Sequence, residues 1–157
     1  MNDSDCYGGL AGGIGDYYFG SSTYQIVNST ISGNSATNKG GALYMENGTL
    51  ATLSSVTVTA NSTQDEAGGL YVVDGATAKL RNTILAENTA TNGSEDCVGN
   101  VVSKGYNLIG DKDGCSYTES DGDLVGDSND SDVGVLDPKL GDLAANGGNS
   151  LKTHNFE

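Results

Sequence analysis

The chain has 157 residues with 21 Asp plus Glu against 7 Lys plus Arg, a net charge of -14, so it lacks the basic stripe that nucleic acid demands. The same charge repels polyanionic ligands and suits a salty or extracellular setting. The length fits one domain, 24 Gly with one Pro and no Trp fit a turn-dense β protein, and the 36% hydrophobic content is what a solenoid with a narrow core tolerates.

Residues 1–26 read as a worn copy of a repeat: AGGIGDYYF resembles the later KGGALYME, and Tyr24 to Val27 lead into the first clear strand. Met1 is followed by acidic and polar residues, without the basic segment and apolar run of a secretory signal. No stretch approaches the length of apolar sequence that spans a membrane, so no membrane insertion is expected. A damaged or incomplete first copy is what a fragment of a longer protein would show. The segment GGLAGGIG lacks the preceding strand, the Lys and the following helix of a phosphate loop, and reads as a turn. Tyr17, Tyr18 and Phe19 form an aromatic cluster that either stacks on a sugar face or packs the first rung.

From Val27 to Asn88 the chain repeats itself. Asn34, Asn61 and Asn88 lie 27 residues apart, each closing a β-rich run: NSTISGN, SSVTVTAN and RNTILAEN. Between them Gly41-Ala42-Leu43-Tyr44 recurs as Gly68-Gly69-Leu70-Tyr71, Asn47-Gly48 as Asp74-Gly75, and Leu53 as Leu80, without a gap. Such a period marks stacked units that bury an apolar face only against a neighbour. Thr, Ser, Val, Ile, Asn and Gly dominate each unit, which disfavours helix and favours strand. In the first copy the apolar-polar runs are residues 28–33, 42–46 and 49–54, separated by Gly and Asn turns. These strands and corners make one rung of a parallel β-solenoid, with rungs about 4.8 Å apart. Ile31, Val58 and Leu85 then form an interior aliphatic column. Asn34, Asn61 and Asn88 form a corner column whose amides hydrogen-bond from rung to rung. Tyr44 and Tyr71 form a stacked pair, and Gly40-Gly41 and Gly68-Gly69 give backbone freedom at a tight bend.

After Asn88 the spacing is lost. Residues 95–142 hold twelve acidic side chains against Lys104, Lys112 and Lys139. Cys97 and Cys115 bracket a strand and turn, VVSKGYNLIGD, and a disulfide between them would close a loop of roughly 19 residues and contribute about 3 kcal/mol. Cys6 is left over: free, intermolecular, or paired beyond this chain. Asp111, Asp113, Asp121 and Asp123, with Asp127, Asp130 and Asp132, are hard oxygen donors that raise a weak calcium reading. Their spacing fits neither an EF-hand nor a nonapeptide calcium solenoid, so a solvated acidic loop, with no cofactor, is the better expectation.

The succession NSTISGNSA, GGALY, ATLSSVTVTAN, AGGLYV, LRNTILAEN, DCVGNVVSKGYNLIGDKDGCSY and DPKLGDLAANGGNSLKTH resembles the choice-of-anchor Q domain from about Gly8 onward. The resemblance implies a right-handed parallel β-helix of secreted or surface-bound bacterial or archaeal origin. Cys97 and Cys115 match its two-Cys pattern, Asp137 to Gly141 and Asn146 to Gly148 match its C-terminal motifs, and His154 falls in the same tail. The family's sorting signal is not matched before Glu157. The repeats are also similar to those of polymorphic membrane protein adhesins. Those pair a GGA[ILV] turn with an aromatic or aliphatic residue three before Asn, here Ile31, Val58 and Leu85.

Many β-helices cleave polysaccharides, which makes a lyase or hydrolase the rival reading. A lyase needs a base beside a calcium-bearing carboxylate cluster, and a hydrolase needs paired carboxylates. Arg81, the only Arg, has Lys79 beside it, and apart from Asp74 at a turn no carboxylates share a slot on successive copies. Ice binding through outward Thr rows begins at Thr30 and Thr57 but ends at Ile84. The expectation is therefore an all-β right-handed parallel β-helix with rungs over 1–94 and an acidic, disulfide-closed cap over 95–157 that continues the same domain. Its expected role is noncatalytic and extracellular: structure, adhesion or head-to-tail self-assembly, with itself, a surface glycan or a protein as partner.

Overall fold

The computed structural model describes residues 9–17, 20–142 and 144. The chain runs β1 (Ile14–Asp16), β2 (Thr23–Ser32), β3 (Ser35–Ala36), β4 (Leu43–Met45), β5 (Leu50–Thr59), β6 (Ser62–Thr63) and β7 (Leu70–Val72). It continues through β8 (Thr77–Arg81), β9 (Ile84–Leu85), β10 (Thr89–Ala90), β11 (Cys97–Ser103), β12 (Leu108–Ile109), β13 (Cys115–Thr118) and β14 (Leu124–Val125). Every pairing between these strands is parallel, and Leu43 sits over Leu70 and Leu50 over Thr77, the 27-residue repeat turned into a stack. The fold is a parallel β-solenoid.

Each rung has three faces of unequal length. A short face stacks β1, β4, β7 and the start of β11. A long face stacks β2, β5, then β8 with β9, then the end of β11 with β12, and finally β13 with β14. A narrow face holds only β3, β6 and β10. The sequence reading differs here in one respect. The run at 49–54 and the next copy's run that ends at Asn61 are one ten-residue strand, β5, rather than two strands around a corner. The reason is a single left-handed residue in mid-strand, Asn28 in β2 (φ 49°) and Ser55 in β5 (φ 56°), which bends the strand without ending its ladder. In the third rung the same slot, Asn82 (φ 48°), does interrupt the ladder and separates β8 from β9.

Alternation along the long face sends Ala51, Leu53, Val56 and Val58 of β5 inward and leaves Thr52, Ser54 and Thr57 on the outer side. Ile31, Val58, Leu85 and Ile109 stack in register as one interior column, the last three fully buried. At the corner entering the short face, a side chain on Gly41 would meet the carbonyls of Gly68 and Ser62 at 2.4 Å, so the rungs approach too closely there for any other residue.

The rungs shorten toward the C-terminal end. In β11 the chain passes straight from the short face to the long face, with Gly99 (φ 92°) replacing the Asn-Gly turn, so Val101 lies over Ala78. The last turn leaves out both the short and the narrow faces, and Gly99 lies over Cys115. The Cys97–Cys115 disulfide, with Cα atoms 5.5 Å apart, ties the start of β11 to the start of β13 where this narrowing happens. Cys6, Tyr18, Phe19, Asn146 to Gly148 and His154 lie outside the described residues.

Candidate functional site

The Asn corner is a hydrogen-bonded ladder with one repeating element. The backbone N–H and the Nδ2 of Asn34 both donate to Oδ1 of Asn61, at 3.0 and 2.9 Å. Asn61 donates in the same two ways to Oδ1 of Asn88, at 3.1 and 2.9 Å. Asn88 in turn donates to Oδ1 of Asp96, at 3.1 and 2.9 Å. Asp96 ends the ladder because its other oxygen must accept too, from the Asp111 N–H at 2.9 Å. An amide there would place a donor against a donor. Burial pushes the Asp96 carboxyl up to about 7 against the opposing effect of its Asn88 and Asp111 N–H donors, and the nearby Asp111 charge adds to the rise. A second, shorter ladder uses the same ending on the long face: Asn107 donates through N and Nδ2 to Oδ1 of Asp123, at 2.9 and 3.2 Å. Burial alone would raise Asp123, but donors from Ser103, Asn107, Ser120 and Tyr117 outweigh it and hold the carboxyl below the ordinary range.

On the short face Tyr17, Tyr44 and Tyr71 form a continuous stack, with ring centroids 5.5 and 5.6 Å apart. Tyr17 is not the register partner of Tyr44. Gly15 is, and its missing side chain leaves the space that the Tyr17 ring fills from two residues further on. The Lys39 ammonium lies 4.2 Å above the Tyr71 ring and 3.0 Å from Glu66. Burial would lower Lys39, but its hydrogen bonds to Tyr71 and Glu66 prevail and hold it above the ordinary range. Tyr44 is pushed up to about 12, by burial first and by Glu46 second. This stack is packed into the wall of the solenoid and engaged by its own neighbours.

The carboxylates considered for calcium are spread over separate tasks. Asp111 accepts the N–H groups of Asp113 and Ser128, and Asp113 accepts from Asn129 and Ser94. Asp123 closes the second ladder, while Asp121 is exposed and its backbone carbonyl accepts from Tyr106. Among the described residues no group of three or more His, Cys, Asp and Glu is placed to hold a metal ion.

The outer side of the long face carries a groove of about 410 Å³ that runs along the solenoid axis. Its floor is the left-handed slot: Ser55, Asn82 and Tyr106, with Gly122 below. One wall is the outward column Thr57, Ile84, Leu108 and Leu124. Beyond the floor on the other side stand Ser54 and Arg81, which are register partners, and Lys104, whose N–H donates to the Leu80 carbonyl at 2.7 Å. Lys79 is one outward position back along the strand. The ion pairs of the described residues use Lys39, Lys112 and Lys139, so Lys79, Arg81 and Lys104 have none. The outward row read for ice binding is the same wall, and it turns from Thr30 and Thr57 to Ile84, Leu108 and Leu124.

Sequence reasoning missed Asp96, Tyr106 and Lys104 as members of these arrays, because the 27-residue period fails where rungs shorten. A signal was present in the pattern Asn82-Thr83-Ile84-Leu85, which returns as Tyr106-Asn107-Leu108-Ile109 in register.

Residues 28–46, from the left-handed slot of β2 through the Asn34 corner to β4, match the model of the Chlamydia polymorphic membrane protein repeat. No curated protein and no solved structure matches the chain.

Proposed function

We propose that this chain is a noncatalytic β-helix module presented outside the cell, working by attachment or assembly. The observation that carries this is the match of residues 28–46 to a repeat of polymorphic membrane proteins, on a chain whose rungs stack as such a repeat requires. The finer resemblance to the choice-of-anchor Q domain belongs to the same reading. Two properties support a location outside a reducing cytosol: the Cys97–Cys115 disulfide and the strong negative charge. The polar residues that repeat most regularly, Asn34, Asn61 and Asn88, are committed to holding rungs together, which leaves recognition to the outer faces.

Self-association is the second part of the proposal. Among the described residues β2 pairs only with β5, so ten residues of backbone edge are offered on its other side. A second copy docking there head to tail makes a heterologous contact that runs on into a filament. In this reading residues 95–157 close the interior at the opposite end and present the surface on which the next copy's β2 edge docks. Beads coated with the chain should attach to immobilised surface glycans or extracellular proteins and resist washing, and light scattering should show growth with concentration. Beads that attach to none of these surfaces, with a chain that stays monomeric at all concentrations, would sink the proposal.

A further inference from the structure

We infer that the groove on the long face binds a short glycan bearing a single carboxylate, with one sugar ring on Tyr106 and the carboxylate toward Arg81 and Lys104. This rests on the attachment reading above and names its ligand and its site.

Tyr106 supplies the first argument. It takes a left-handed φ of 61° in a slot otherwise occupied by Asn28, Ser55, Asn82 and Gly122. Asn and Gly tolerate that conformation, whereas a bulky aromatic is strained by it. Burial does not repay the strain, since Tyr106 remains 68% exposed. The ring is nevertheless held in place: a Cβ on Gly122 would lie 2.5 Å from it, so the bare glycine is its seat. A seated and exposed aromatic ring is a platform for the C–H face of a sugar.

Charge supplies the second argument, independently. In a chain of net charge -14 carrying only seven Lys plus Arg, Lys79, Arg81 and Lys104 gather beside this groove with no ion pair among the described residues. The outward positions of Lys79 and Arg81 follow from strand alternation, with Ala78 and Leu80 buried between and beside them, and Lys104 is exposed next to buried Ser103. The floor adds amide and hydroxyl groups, Asn82 donating to Ser55 Oγ at 3.1 Å, of the kind that bonds sugar hydroxyls. The overall charge repels a polyanion, and Asp121 stands exposed beside Gly122. A ligand with one carboxylate, set against the cations and away from Asp121, meets the local attraction without the global penalty.

The test uses the full chain and calorimetric titration with defined probes: xylotriose, xylotriose bearing one glucuronic acid, and polygalacturonate. The acidic xylotriose should bind about tenfold tighter than the neutral one, the gain of one charge-assisted contact. The Arg81→Gln, Lys104→Gln pair lies on the exposed surface and should bring the two trisaccharides to near parity. Tyr106→Gly removes the backbone strain, so its melting temperature should hold or rise while binding of both trisaccharides falls. Polygalacturonate should bind no tighter per site than the single-acid probe. Equal binding of neutral and acidic xylotriose, or unchanged binding in both variants, would overturn the site. Beads that still attach to other surfaces in that case would leave the attachment reading standing. Shortened xylotriose in the mixture would overturn the noncatalytic reading and leave the groove as its site.

Discussion

Asp96 shows how one residue type is dictated by its neighbours. The ladder residues above it need an acceptor only on one side, and an amide provides it while donating onward. At the ladder's end N–H groups approach from both sides, and a carboxylate accepts both. The cost is a buried acid, pushed up to about 7 from an ordinary 3.8. The folded chain therefore binds an extra proton between those values, and stability from this group is complete below pH 3.8 and lost as pH rises through 7. Asp123 runs the other way: its lowered carboxyl contributes stability above the ordinary value and loses it below. Chemical unfolding should thus show stability rising by about 2–3 kcal/mol from pH 8 to pH 5, then falling once the pH drops below the ordinary carboxylate range. Asp96→Asn should flatten the slope between pH 5 and pH 8. A slope that survives the substitution would assign it to other groups.

Individual ladder amides differ by burial. Asn61 is fully buried, and its loss strands the Asn34 N–H together with the carbonyls of Ile31 and Thr59. Asn61→Ala should cost about 2–4 kcal/mol by urea unfolding, whereas half-buried Asn34→Ala should cost about 1. Equal costs would mean that the corner is held by its backbone pairing alone.

At the scale of the element, the middle of the chain was legible because each copy repeats on one period and alternation fixes which residues face in. Asn34, Asn61 and Asn88 announced a corner, and Leu43 and Leu70 announced stacked strands. What stayed hidden is physical. A left-handed Asn or Ser inside a strand bends it without any punctuation in the sequence, so β5 read as two runs. The stacking of Tyr17 on Tyr44 depends on a glycine gap rather than on register. Beyond Asn88 the rungs drop whole faces, so Asp96 and Asp123 occupy ladder slots that no fixed period reaches. The groove was not legible: Arg81 and Lys79, weighed in the sequence only as a base for a lyase, stand beside it, and its lining residues come together only when the left-handed slots of successive rungs stack. The disulfide stands where the faces are dropped, closing a separation of 18 residues. Cys97→Ser with Cys115→Ser should lower stability by about 3 kcal/mol, and hydrogen exchange should quicken in β13 before β5. Protection that falls equally in both strands would show the narrowed turns to be one cooperative unit with the full rungs.

For the molecule as a whole, stability and recognition are divided between inside and outside. The interior is a narrow aliphatic column and two amide ladders, and these consume the residues that repeat most strictly. The outer long face is free of that duty. It holds Lys79, Arg81 and Lys104, which have no ion pair among the described residues, and the exposed ring of Tyr106. A scaffold of this kind presents groups at fixed spacings of about 4.8 Å. Attachment without chemical turnover is the use proposed for this division. The most direct measurement incubates the chain with a panel of immobilised acidic and neutral polysaccharides, and reads both retained protein and released ends by mass. Protein retained with no new reducing or unsaturated ends is the result predicted here. New ends accumulating with time and enzyme-like dependence on chain concentration would contradict it.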